Sequence, residues 1–187
     1  MSHGFLANQR MNKRYAKEIE KLGYIAITFD FCGGGLFSKS DGSSLDMTIN
    51  SEVNDLLSII EYTKKQEYTK SVSLLGCSQG GLVSMIVAKQ IPNEIDNLLL
   101  LYPALCIPDD ARKGKMMFYR FDPNNIPDLL GKFPLPLGGD YARCVIDKDV
   151  YSLIGEFSNP LLYLQGDKDK VVDISYARNA KTRSEER

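Results

Sequence analysis

Ser71-Val72-Ser73-Leu74-Leu75-Gly76-Cys77-Ser78-Gln79-Gly80-Gly81-Leu82-Val83 is the stretch on which the fold turns. A short apolar run leads into Gly76-Cys77-Ser78-Gln79-Gly80, which fits G-x-S-x-G, and Leu82 to Gln90 continues as apolar helix material stopped near Pro92. A strand that turns sharply into a helix strains the backbone of the intervening serine and lifts its hydroxyl clear of the sheet. The flanking glycines let the two backbones approach, and the helix N-terminus favours negative charge developing beside it. The pattern alone recurs by chance. Its place between a strand and a helix makes Ser78 a candidate nucleophile.

Outward from this turn the pattern alternates. Met11, Tyr15, Ile19 and Leu22 recur at helical spacing with Gly23 as a stop, and Tyr24 to Phe29 reads as a buried strand. Cys32 to Ser44 is a Gly- and Ser-rich loop, and Val53, Leu56, Leu57 and Ile60 mark a second amphipathic helix. Ile95 to Tyr102 and Leu161 to Gln165 read as further strands. Strands and helices in alternation predict an α/β fold, three layers (α/β/α) around a mostly parallel sheet, in one domain over residues 1–187. The alternation breaks at about 103–160, which holds seven of the eight prolines. Met116, Met117, Phe118, Tyr119, Phe121, Phe133, Tyr141 and Tyr151 also cluster there. A long insertion rich in aromatics argues for a packed element, expected here to be a helical lid. The charged tail, 181–187, is expected to fray.

Composition narrows the function. Among 187 residues, 23 Lys and Arg balance 24 Asp and Glu for a net charge of −1. That is not the basic excess of a nucleic-acid binder. Cys32, Cys77, Cys106 and Cys144 form no C-x-x-C pair, so neither a metal site nor a disulfide framework is expected. No apolar run reaches the roughly 20 residues of a membrane span, and no leader is visible. The expectation is a cytoplasmic protein that does not engage a membrane. Cys32-Gly33-Gly34-Gly35 matches neither the dinucleotide nor the P-loop pattern, so no cofactor is expected. The Glu- and Lys-rich spacing of the first two helices reads as solvated faces.

With these motifs in order, the chain resembles the α/β-hydrolase fold. It is most similar to the serine aminopeptidase-like hydrolases that include bacterial feruloyl and cinnamoyl esterases. The resemblance rests on Ser2-His3-Gly4-Phe5, Asp30-Phe31-Cys32-Gly33-Gly34, the turn around Ser78, Tyr102-Pro103-Ala104, and Gly166-Asp167-Lys168-Asp169-Lys170-Val171-Val172. It implies a serine hydrolase of carboxylic esters acting through an acyl-enzyme on a small-molecule ester. Ser78 would be the nucleophile, Asp169 the acid that orients a histidine, and the backbone N–H groups of Phe5 and Gln79 the oxyanion hole. Asp167 and Asp173 are nearby competitors of Asp169.

The chain departs from that family in two places. The histidine expected after Asp169 is absent, and the only histidine, His3, belongs to the oxyanion loop. The strand expected before His3, between those at Tyr24–Phe29 and Ser71–Leu75, is also absent. Compared with the family the chain reads as truncated at both ends, with strand edges left free for association between copies. Reduced or no activity follows as an expectation. The rival readings are a non-catalytic pseudohydrolase binding module and a non-functional fragment.

Overall fold

The computed structural model describes residues 1–153 and 157–185. A 3-10 turn at Gln9–Asn12 leads into helix α1 (Lys13–Lys21). α1 ends at Gly23, whose φ of 87° only glycine adopts freely. The Gly23 and Tyr24 N–H groups close onto the Glu20 and Ile19 carbonyls. Helix α2 (Ile49–Lys64) starts at Thr48, whose hydroxyl accepts from the Ser51 N–H while the Ser51 side chain accepts from the Thr48 N–H. Strand β1 (Ser73–Cys77) turns into α3 (Gln79–Gln90), which returns to β2 (Asn97–Leu101).

The segment 103–160 contains α4 (Ile107–Arg112), a hairpin of β3 (Lys115–Met116) and β4 (Tyr119–Arg120), a second of β5 (Leu129–Gly131) and β6 (Leu137–Gly138), and α5 (Asp140–Arg143). Strand β7 (Leu161–Leu164) and helix α6 (Ile174–Glu185) follow. The sheet has the order β1-β2-β7, all parallel, with Gly76 opposite Leu100 and Leu100 opposite Tyr163.

Alternation along the strands sends side chains to two faces. Leu74, Leu98 and Leu100 join Val53, Leu56 and Ile60 of α2, Leu82, Val83 and Ile86 of α3, and Met116, Tyr119 and Tyr141 of the 103–160 segment in the main core. Leu75, Cys77 and Leu101 face the other way and pack with Met1 and Tyr15. The expected parallel α/β architecture is therefore present.

Three local expectations need correction. Tyr24–Phe29 forms no paired strand. A cavity of about 630 Å³ lies between Tyr24–Ile27 and Ser73–Leu75, and the Met1 ammonium donating to the Ile27 carbonyl at 2.8 Å is the bond bridging it. Tyr24 and Ile25 are 53% and 65% exposed as a result. Apolar β-branched sequence supplies propensity, but a strand also needs a neighbour to pair with. Secondly, the 103–160 segment mixes short helices with two hairpins and is not all helical, in keeping with its turn-forming prolines. Thirdly, the tail is helical through Glu185, because α6 continues into it; Glu186 and Arg187 lie outside the described residues.

Candidate active site

Ser78 occupies the turn between β1 and α3 with φ 52° and ψ −119°, a left-handed conformation that strains any residue with a Cβ. The surrounding bonds hold it there. Ser78 N–H donates to the Leu101 carbonyl, and the Ser78 carbonyl accepts from Gly81, Leu82 and Ala104. The last of these explains the Tyr102-Pro103-Ala104 motif, which ties the end of β2 to the turn. A Cβ at Gly76 would stand 2.4 Å from the Gly80 carbonyl oxygen, and one at Gly80 would stand 2.5 Å from both the Ser2 and His3 carbonyl oxygens. Two backbones therefore cross at a distance only glycine permits.

The His3-Gly4-Phe5 loop is brought to this turn by Ser2. Ser2 N–H donates to the Leu75 carbonyl, and the Cys77 N–H donates to the Ser2 carbonyl, a parallel bridge. Gly4 then lies against Ser78: a Cβ there would be 3.0 Å from the serine Cβ and 3.5 Å from its Oγ. Phe5 N–H and Gln79 N–H have no acceptor among the described residues, and the latter is the first helical amide of α3, which has no intrahelical partner.

His3 is 1% exposed, its Nδ1–H donating to the Gly4 carbonyl at 2.9 Å and its Nε2 accepting from the Phe31 N–H at 3.2 Å. Burial lowers its pKa, against the opposing bond to Gly4. Both nitrogens of this neutral ring are used in holding the loop to the chain at Asp30-Phe31. Asp30 adds to that hold by accepting from the Gln9 and Lys39 N–H groups.

Asp169 lies in the turn after β7. Its Oδ1 accepts from the Val171 and Val172 N–H groups at 2.8 and 3.0 Å, and its Oδ2 from Gln165 Nε2 at 3.0 Å. β1 and β7 are parallel and separated by β2, two strand spacings or roughly 10 Å apart, and Ser78 and Asp169 both follow the carboxyl ends of their strands. Asp173 instead caps α6 through the Ser175 N–H. Among the described residues no group of three His, Cys, Asp or Glu is placed to hold a metal, and no helix is long and apolar enough to cross a membrane.

Two buried residues at this site escape a sequence reading. Glu52 is fully buried on α2 and bonds Gln79, which also bonds Tyr141 of α5. The available signal was the position of Glu52, which shares the inward stripe of Ile49, Val53 and Leu56 and so lies off the solvated face.

Comparison with known proteins agrees with the fold. The family model described as serine aminopeptidase, S33 matches residues 1–137. Est1E from Butyrivibrio proteoclasticus, solved with ferulic acid bound, superposes with a TM-score of 0.89 at 30% identity, over 97% of this chain and 73% of that one. A monoacylglycerol lipase from Paleococcus ferrophilus shares the fold, with a TM-score of 0.72 at 19% identity over 97% of this chain and 77% of that one. No curated protein matches the chain. On the family match and the superposition with Est1E, the chain belongs to the serine aminopeptidase S33 family of α/β-hydrolases.

Proposed function

We propose that this chain carries the acyl-transfer half of a carboxylic ester hydrolase site. Ser78 Oγ would add to the ester carbonyl carbon, the alcohol would leave with a proton, and water would release the carboxylic acid from the acyl-serine. The Phe5 and Gln79 N–H groups would stabilise the tetrahedral oxyanion, each worth roughly 3 kcal/mol. Asp169 would orient a histidine between itself and Ser78. The observation that carries this reading is the left-handed Ser78 at the junction of β1 and α3, with the Gly4-Phe5 loop against it.

No base for Ser78 is offered by this chain's one histidine, since both ring nitrogens of His3 are engaged. The 187 residues alone should therefore turn over esters very slowly. Loss of the base costs on the order of 10⁶ in kcat in a serine protease, leaving roughly 10³ to 10⁴ over water. The 103–160 segment would act as the lid, and its aromatic residues suit an apolar or aromatic acyl group. The ferulic acid bound by Est1E supports that substrate class.

A fluorophosphonate, with imidazole added as the base that His3 does not supply, tests the reading by intact mass. One adduct per chain, mapped to Ser78 and absent in Ser78→Ala, is expected. No adduct, together with ligand binding detected by thermal shift, would favour the non-catalytic binding module instead.

A further inference from the structure

A line of buried polar contacts runs behind Ser78 that the chemistry above does not use. Glu52, Gln79 and Tyr141 are 0%, 1% and 2% exposed. Gln79 Nε2 donates to Glu52 Oε1 at 2.5 Å, and the Tyr141 hydroxyl donates to Gln79 Oε1. The Tyr141 ring also faces Phe5, with centroids 6.1 Å apart. The residue carrying one proposed oxyanion donor is thus gripped at its side chain from two elements, α2 and α5. The same tyrosine backs the residue carrying the other donor.

A carboxyl in this position is costly unless neutral or paired. Glu52 Oε2 has no hydrogen bond among the described residues. The titratable groups that interact with Glu52 are Asp55 of its own helix, Tyr141 of α5 and Cys144 just after α5, all of them acids. Burial pushes the carboxyl well above its usual range, against the opposing bond from Gln79. A neutral Glu52 keeps a carbonyl oxygen for the Gln79 amide without placing an unpaired charge in the core.

We infer that Glu52 and Tyr141 are positioning residues for the oxyanion hole, acting through the Gln79 side chain and the Phe5 ring to fix the two backbone donors. The inference rests on reading Phe5 and Gln79 as those donors. It also links the hole to the 103–160 segment: movement that withdraws Tyr141 loosens both donors at once. Misplacing a catalytic group by about 1 Å can cost on the order of 100-fold, so a partial loosening is worth roughly tenfold.

The test uses the full chain and has two arms. In ¹⁵N-labelled protein, Tyr141→Phe should move the backbone amide signals of Gln79 and Phe5 while leaving that of Ser2 in place. Raising the pH should shift the Gln79 signal in the wild type but not in Glu52→Gln. In the second arm, with imidazole added as base, phosphonylation of Ser78 by a fluorophosphonate should slow about tenfold in Tyr141→Phe and in Glu52→Ala, and Glu52→Gln should recover most of the rate. Variants that lose thermal stability yet leave the Gln79 and Phe5 signals unmoved would make the network merely structural and overturn the inference. A wild-type chain that is not phosphonylated even with imidazole present would defeat the hydrolase reading, and with it the donor roles on which the inference rests. The amide signals would still show whether the network holds those residues.

Discussion

Ser78 is the residue where geometry and chemistry meet. Its φ of 52° with ψ −119° is a conformation that costs a residue with a Cβ of order 1 to 3 kcal/mol. Glycine escapes that cost but has more freedom to lose on folding. Ser78→Gly should therefore be more stable than Ser78→Ala by about 1 kcal/mol in urea unfolding. Equal stabilities would mean that the turn is relaxed. Gly80 is constrained differently, by the Ser2 and His3 carbonyls that a methyl group would meet at 2.5 Å. Gly80→Ala should destabilise the chain by about 3 kcal/mol or more, because the obstacles are backbone atoms that cannot rotate away. It should also displace the Gly4-Phe5 loop, so any protein that folds should be phosphonylated more slowly.

Among the elements, α2 has the clearest consequences. Its capping box at Thr48 and Ser51 should make Thr48→Ala cost about 1 kcal/mol. Glu52, one turn inside, gives the helix a pH dependence. The folded-state pKa of Glu52 is raised above its unfolded value, so the folded chain holds the proton longer. Its favourable contribution is complete below about pH 4, the unfolded carboxyl pKa, and is lost as the pH climbs toward the folded value. Wild type should therefore lose stability relative to Glu52→Gln as the pH rises above the ordinary carboxyl range, measured by urea unfolding. Parallel curves for the two proteins would mean that the buried carboxyl is ionised throughout.

These two elements also show what a sequence can carry. The β1–Ser78–α3 turn was legible because strand, turn and helix are consecutive, and glycine spacing encodes the close backbone approach locally. Glu52 was not. Glutamate on a surface helix is ordinarily solvated, and what holds this one inside is the bond from Gln79, itself held by Tyr141, both distant in the chain. Tyr24–Phe29 failed for the complementary reason: its propensity is local, but pairing depends on a neighbour that the 187 residues do not place there.

At the scale of the whole molecule the sheet leaves both of its outer strands open on one side. The 630 Å³ cavity beside Ser73–Leu75 is lined by Ile25, Ile27, Leu74 and Leu98 among others, and β7 leaves Leu162 and Leu164 48% and 51% exposed. Unpaired strand edges with apolar side chains favour association between copies. Sedimentation should give a mass above that of the monomer which falls on dilution, and Leu164→Lys should lower it; a concentration-independent monomer would count against free edges.

On the proposed reading, Ser78, Asp169 and the Phe5 and Gln79 N–H groups supply nucleophile, acid and donors, and His3 supplies no base. A small diffusible base should then substitute for the histidine that the chain lacks. Hydrolysis of 4-nitrophenyl acetate by the 187-residue chain, corrected for the Ser78→Ala rate, is the most direct measurement. It should lie near background in buffer and rise with added imidazole, with no such rise in Ser78→Ala. Rapid Ser78-dependent turnover without imidazole would show that a base is already present. No Ser78-dependent turnover at any imidazole concentration would show that the acyl-transfer half-site is not formed.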